Sequence, residues 1–157
     1  MKKALLAAVV LLLISASVGA QDYKTSLGLR VGYPYGATVK HFLSKTDAIE
    51  GIIGSSYGGL TVTGLYENEH WTGKYPGLNW YWGLGAHVGF WDAAANPHIS
   101  DVTYNGAVIG VDGVLGLEYT FDDFPLNLSL DLLPSFNLIG DTNWGGIYGA
   151  LSVRYVF

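Results

Sequence analysis

Few residues in this chain could do chemistry, and their spacing narrows the kinds further. His98-Ile99-Ser100 places a base two residues from a hydroxyl, with Asp101 and Asp112 close by in sequence. A base beside a hydroxyl, oriented by a carboxylate, is the arrangement used in acyl transfer. The signal is three residues long, and His98 follows Pro97 in a loop. An exposed loop histidine accounts for it, and no catalytic residue is expected. The four histidines, His41, His70, His87 and His98, share no metal-ligand spacing. Asp92, Asp101, Asp122 and Asp123 do not make a calcium loop. No metal and no cofactor is therefore expected. With no cysteine, disulfides, thiolate nucleophiles and lipid-anchoring thiols are excluded. The remaining candidates are single charges set into apolar stretches: Arg30, Lys40, Glu50, Glu67, Asp112, Glu118, Asp131 and Arg154, joined by His87. Their chemistry is ion pairing, provided something brings them together.

Strands can do so. In the last stretch Ile147, Leu151, Val153, Tyr155 and Phe157 share one parity, and Tyr148, Ala150, Ser152 and Arg154 the other. A period of two is a strand with unlike faces. Seven more segments alternate in this way, giving eight in all: 23–32, 37–43, 48–56, 60–67, 80–91, 108–121, 126–136 and 146–157. In 80–91, Trp80, Trp82, Leu84, Ala86, Val88 and Phe90 oppose Tyr81, Gly83, Gly85, His87 and Gly89. In 126–136, Leu126, Leu128, Leu130 and Leu132 oppose Asn127, Ser129 and Asp131. Short turns make successive strands antiparallel neighbours. Residues 68–79, holding His70, Trp71 and Pro76, read as a polar connection, and 92–107 as the longest loop.

Composition says where such strands could live. Only 13% of residues are charged and mean hydropathy is +0.28, against about 25% charged in soluble domains. No apolar run past the amino end is long enough for a spanning helix. The amino end itself begins Met1-Lys2-Lys3, continues wholly apolar from Ala4 to Ile14, and reaches Val18-Gly19-Ala20. That order is a secretory signal peptide over residues 1–20, cut before Gln21, leaving 21–157 as one domain. Removing Lys2 and Lys3 leaves six basic residues of the original eight against thirteen acidic, a net of −7. So acidic a chain is no nucleic-acid binder.

Alternation alone does not say which face is outside. A lipocalin-like soluble barrel also alternates over eight strands, apolar side inward. Here the apolar face of the strands carries no charge, while the other is crowded with small residues such as Gly28, Gly83, Gly85 and Gly116. The expectation is an all-β, eight-stranded, antiparallel, up-and-down transmembrane β-barrel with its apolar face to lipid. On that parity Trp80 and Trp82 touch lipid and are no glycan platform. Aromatics fall in two belts: Tyr66, Tyr119, Phe121, Tyr155 and Phe157 at one end, and Tyr33, Tyr35, Tyr57, Phe90, Trp91 and Phe136 at the other. An eight-stranded lumen is only wide enough for side chains to fill, so the charges named above are expected to form a paired, plugged core. In it Arg154 should reach Asp131 and Glu118.

The terminal Tyr155-Val156-Phe157 and the alternating strand before it resemble the closing strand of bacterial outer-membrane barrels. The whole of 21–157 resembles the small eight-stranded outer-membrane families of Gram-negative bacteria. These are the OmpX-like and opacity-protein-like families, and especially the outer membrane protein β-barrel domains of Bacteroidota. The resemblance implies location in the cell outer membrane, with both ends of the mature chain on the periplasmic side. It implies an assembly signal in Leu151, Val153, Tyr155 and Phe157. It also implies partners in outer-membrane lipid and, during biogenesis, in the barrel-assembly machinery and periplasmic chaperones. A monomer is expected. His98-Ile99-Ser100 is similar to the His-x-Ser pair of outer-membrane lipid A deacylases, except that those enzymes carry the pair on a strand. The external loops are short for an adhesin. The function expected is a structural or surface-interaction role without catalysis. The alternatives are a narrow, porin-like channel or transporter for small solutes and, third, a lipid-modifying enzyme.

Overall fold

Side chains two residues apart share a face of a strand, so a segment with one apolar and one polar parity offers them to different surroundings. In the computed structural model, which describes residues 23–56, 59–91, 106–140 and 144–157, eight strands do this in concert. They are β1 (Thr25–Gly32), β2 (Tyr35–Phe42), β3 (Asp47–Ser56), β4 (Gly59–Trp71), β5 (Leu78–Trp91), β6 (Gly106–Thr120), β7 (Leu126–Ile139) and β8 (Trp144–Val156). They close in sequence order into one barrel, each strand antiparallel to its neighbours. The seam of closure joins β1 to β8 with Leu27 opposite Tyr155 and Leu29 opposite Val153. Past it the Thr25 amide donates to the Phe157 carbonyl at 3.1 Å, and the Phe157 amide returns the bond at 2.9 Å. A closed ring has no edge strand, which removes the unpaired backbone that a sheet would otherwise expose.

Several strands run further than their sequence suggests. Residues 68–71 and 78–79 belong to β4 and β5, so the polar connection shrinks to 72–77. The cause is that the period continues: Glu69 turns inward after Glu67, and His70 stacks on Trp80 at 4.6 Å. β7 likewise continues to Ile139. The proposed signal peptide and the His98-Ile99-Ser100 stretch lie outside the described residues.

The burial pattern inverts that of a soluble domain. Leu29 and Leu84 stand 68% and 67% exposed on the outer surface, whereas Arg154 and Glu67 are 0% exposed inside. Every charged strand residue is interior except Asp47, the first residue of β3. Around the Phe157 end the outer surface carries Tyr66, Tyr119, Trp80 and Trp82, with Tyr119 edge-on to Phe121 and Tyr155 near Phe157. Around the opposite end it carries Tyr35, Phe90 and Phe136. Tyr33 departs from the expected belt: its ring leans onto Tyr148 at 4.2 Å, because Tyr148 is on the inward parity of β8. The walls also approach closely. A Cβ on Gly28 would run into the β8 backbone at Val153 and Arg154, so only glycine fits where β1 meets β8.

Candidate functional site in the barrel lumen

The inward parity of each strand determines what meets inside. Moving away from the Phe157 end, β3 presents Glu50 and then Ile52; β4 presents Glu69, Glu67 and then Leu65. β6 presents Glu118, then Val114, then Asp112; β7 presents Asp131, then Leu133, then Ser135. The same order on four strands stacks the lumen into three tiers: charged, apolar and polar.

The charged tier is built on three cations. The Lys40 ammonium lies 2.8 Å from Glu118, 3.0 Å from Glu69 and 3.1 Å from Glu67, with the Tyr81 ring 4.4 Å from it. The Arg154 guanidinium donates to Glu50 at 2.6 Å, to Ser129 at 2.9 Å and to Asn127 at 3.3 Å, and approaches Glu118 at 3.4 Å. Arg30 clamps Asp131 with both terminal nitrogens, at 2.8 and 2.5 Å. That is the two-pronged geometry a planar guanidinium gives and an ammonium does not. Thr38 donates to Glu50, and Tyr81 donates to Asp131 at 3.1 Å. Glu67, fully buried, is met by the Lys40 ammonium. Tyr23, just before β1, reaches in to donate to Glu118 at 2.6 Å. Burial first, and the Glu118 carboxylate second, push its phenol well above the ordinary value, so it remains a donor.

One expected pairing is wrong. Arg154 does not meet Asp131, which belongs to Arg30. Register is the reason: Arg154 faces Asn127, whereas Asp131 faces Ala150 four residues along, about 13 Å at a strand's rise. Sharing a face is not sharing a level. Glu50, three strands away past β1 and β2, bends across the lumen to take the place assigned to Asp131.

The apolar tier was not expected of a polar lumen. Ile52, Leu65, Val114 and Leu133 pack together above Tyr81, with Tyr148 against them. Each lies on the inward parity of its strand, so the signal was present in the sequence as apolar residues on the polar face.

The polar tier separates His87 and Asp112 from the other predicted charges. His87 Nδ1 lies 2.9 Å from both Asp112 oxygens, and its Nε2 lies 3.0 Å from Asn137 Oδ1. Ser135 donates to Asp112. A hydroxyl, an imidazole and a carboxylate therefore meet, but in the wrong order for acyl transfer. The hydroxyl gives its proton to the carboxylate, and both imidazole nitrogens already have partners, leaving no base beside the nucleophile. Among the described residues, no three His, Asp or Glu side chains converge as metal ligands.

Sequence reasoning missed Glu69, Tyr23, Tyr81, Asn127, Ser129, Ser135 and Asn137 as members of these networks. Glu69 was legible, being two residues beyond Glu67 on the same parity. Tyr23 was not, since it reaches the lumen from outside any strand.

Tyr81→Phe removes one donor from the buried Asp131 while keeping the ring. The expected cost is about 1.5–3 kcal/mol, the range for a hydrogen bond to a charged group, read from urea unfolding of the refolded barrel.

Comparison with solved structures finds the N-terminal β-barrel domain of Pseudomonas aeruginosa OprF, at a TM-score of 0.63 and 16% identity, covering 89% of this chain and 100% of that one. At that identity the likeness is one of fold: this chain is a small eight-stranded β-barrel resembling the OprF barrel domain. No protein-family model matches the sequence, and no curated protein does.

Proposed function

We propose that this chain is a small integral outer-membrane barrel with a plugged lumen, serving a structural or surface-interaction role and carrying out no catalysis. The observation that carries the reading is the inversion of the strands: exposed leucines, valines and aromatics outside, and every strand charge but Asp47 inside. A surface of that composition is stable against hydrocarbon and would associate in water. The OprF-like fold supports the same location, and an OmpX-like or Bacteroidota-type kinship remains part of the proposal. Residues 1–20 serve as the cleaved export signal in this reading, with assembly assisted by periplasmic chaperones and the barrel-assembly machinery. Fractionation with a heat-modifiability gel tests it. The expected result is recovery in the outer-membrane fraction with a mobility shift on boiling. Recovery in the soluble periplasmic fraction with no shift would overturn it.

The channel alternative meets two obstacles. The charged tier is ion-paired across the lumen, and above it an ion would have to cross the apolar tier formed by Ile52, Leu65, Val114 and Leu133. Planar-bilayer recording should show no steady conductance, and a stable open level would sink the plugged reading.

Leu151, Val153, Tyr155 and Phe157 act as the assembly signal in this proposal, on the outward parity of β8 and its end. Deleting Phe157 removes two backbone bonds to Thr25 and one half-exposed ring. That is a small share of the barrel's ladder. The expected outcome is a strong fall in assembled protein in cells with little change in the unfolding midpoint of barrel refolded in vitro. Unchanged membrane levels would refute the signal role.

A further inference from the structure

Among the described strands, β7 alone has a ladder that is irregular on both sides. Toward β6 the register shifts at Ile109/Gly110, and pairing lapses at Gly113 and Val114, opposite Leu133 and Pro134. Toward β8 it shifts again between Ser135 and Phe136. The lapse has a cause in the sequence: Pro134 has no N–H to give to the facing Gly113 carbonyl. Proline within sheets is confined to edges and bulges, yet here it stands in a closed wall, one position beyond the outward pair Leu115 and Leu132. In hydrocarbon nothing else can replace the missing bond.

On the lumen side the same place is bridged by side chains. His87 of β5 reaches over β6 to Asn137 of β7 while also holding Asp112 of β6, and Ser135 of β7 donates to that same Asp112. One imidazole thus ties three consecutive strands across the weakened ladder. Gly110 makes room for it, since a Cβ there would collide with the imidazole carbon between the two nitrogens.

We propose that the wall between β6 and β7, residues 109–115 against 132–139, is a lateral seam that opens locally while the rest of the barrel stays closed, with His87 as its clasp. Local opening is drawn from the stretches of a fold with the fewest backbone bonds, and here those stretches coincide with a side-chain tie across three strands. The inner lips of the seam are Val114 and Leu133. An open seam therefore joins the hydrocarbon outside to the apolar tier and leaves the charged network intact. The hydrocarbon part of this inference rests on the membrane reading above; the seam itself does not.

Amide hydrogen exchange of the purified barrel in detergent micelles, at one pH, tests it. Amides of 113–115, 132, 133, 135 and 136 should exchange about tenfold faster than those of the unbroken β4–β5 ladder, and His87→Ala should add about tenfold more in the seam alone. Pro134→Val restores the missing N–H on a half-buried, outward position and should slow the seam even in the His87→Ala background. Should Pro134→Val fail to assemble, Asn137→Leu severs the far end of the clasp and should raise exchange in the seam only. Seam amides as protected as β4–β5 in wild type and in His87→Ala would overturn the proposal. So would a rise that spreads evenly around the ring, which would make His87 a general stabiliser. A micelle measurement does not depend on cellular location, so a failed seam and a failed fractionation are distinguishable results.

Discussion

Arg154→Ala is expected to lower barrel stability by about 3–5 kcal/mol, the cost of removing one partner from a buried ion pair. Its guanidinium is fully buried and spans β8, β7 and β3 through Ser129, Asn127 and Glu50. Without it the buried Glu50 loses its guanidinium partner at 2.6 Å and keeps the Thr38 hydroxyl on one oxygen. The tier already holds five carboxylates, Glu50, Glu67, Glu69, Glu118 and Asp131, against three cations, Arg30, Lys40 and Arg154. Losing a cation therefore hurts more than losing an acid. Arg154→Lys should cost less, keeping the charge while giving up the fork. Glu50→Gln should partly rescue Arg154→Ala by removing the stranded charge. Urea unfolding of barrels refolded in detergent or lipid reads all of these. A wild-type midpoint for Arg154→Ala would mean that the network contributes nothing to holding the barrel together.

Leu132→Arg tests the outer surface in the same way. Leu132 is 52% exposed, and its row on the wall continues into Leu115 of β6. At the mid-depth of a bilayer a lipid-facing arginine costs about 2–4 kcal/mol. On the water-facing surface of a soluble protein the same change falls within about 0.5 kcal/mol of neutral. The expected outcome in lipid vesicles is a loss of the larger size. In the same assay Lys45→Ala, in the exposed β2–β3 turn, should be silent. Equal midpoints for Leu132→Arg and wild type would mean that this wall does not face hydrocarbon.

The alternation of β5 and β8, and the unmixed apolar parity of Leu126, Leu128, Leu130 and Leu132, were enough to read off eight strands, their antiparallel order and the side each residue faces. Period-two parity is local, carried by successive Cα–Cβ bonds, and needs no knowledge of the rest of the chain. The same parity marked Arg30, Lys40, Glu50, Glu67, Asp112, Glu118, Asp131 and Arg154 as companions inside, because on the membrane reading proposed above a charge has nowhere else to go on a lipid-facing strand. Strand ends were less legible: 68–71 look polar, yet Glu69 is polar because it continues inward. Which charge meets which was not legible at all. Pairing depends on level as well as face, and level is decided by the register of all eight strands closing together, the term that sends Asp131 to Arg30 and brings Glu50 across the lumen to Arg154. The tiers have the same origin. Ile52, Leu65, Val114 and Leu133 come from four strands and are exceptions on each. Only the closed ring sets them at one height, where four apolar side chains bury one another and the charges of the tier below are left to pair among themselves.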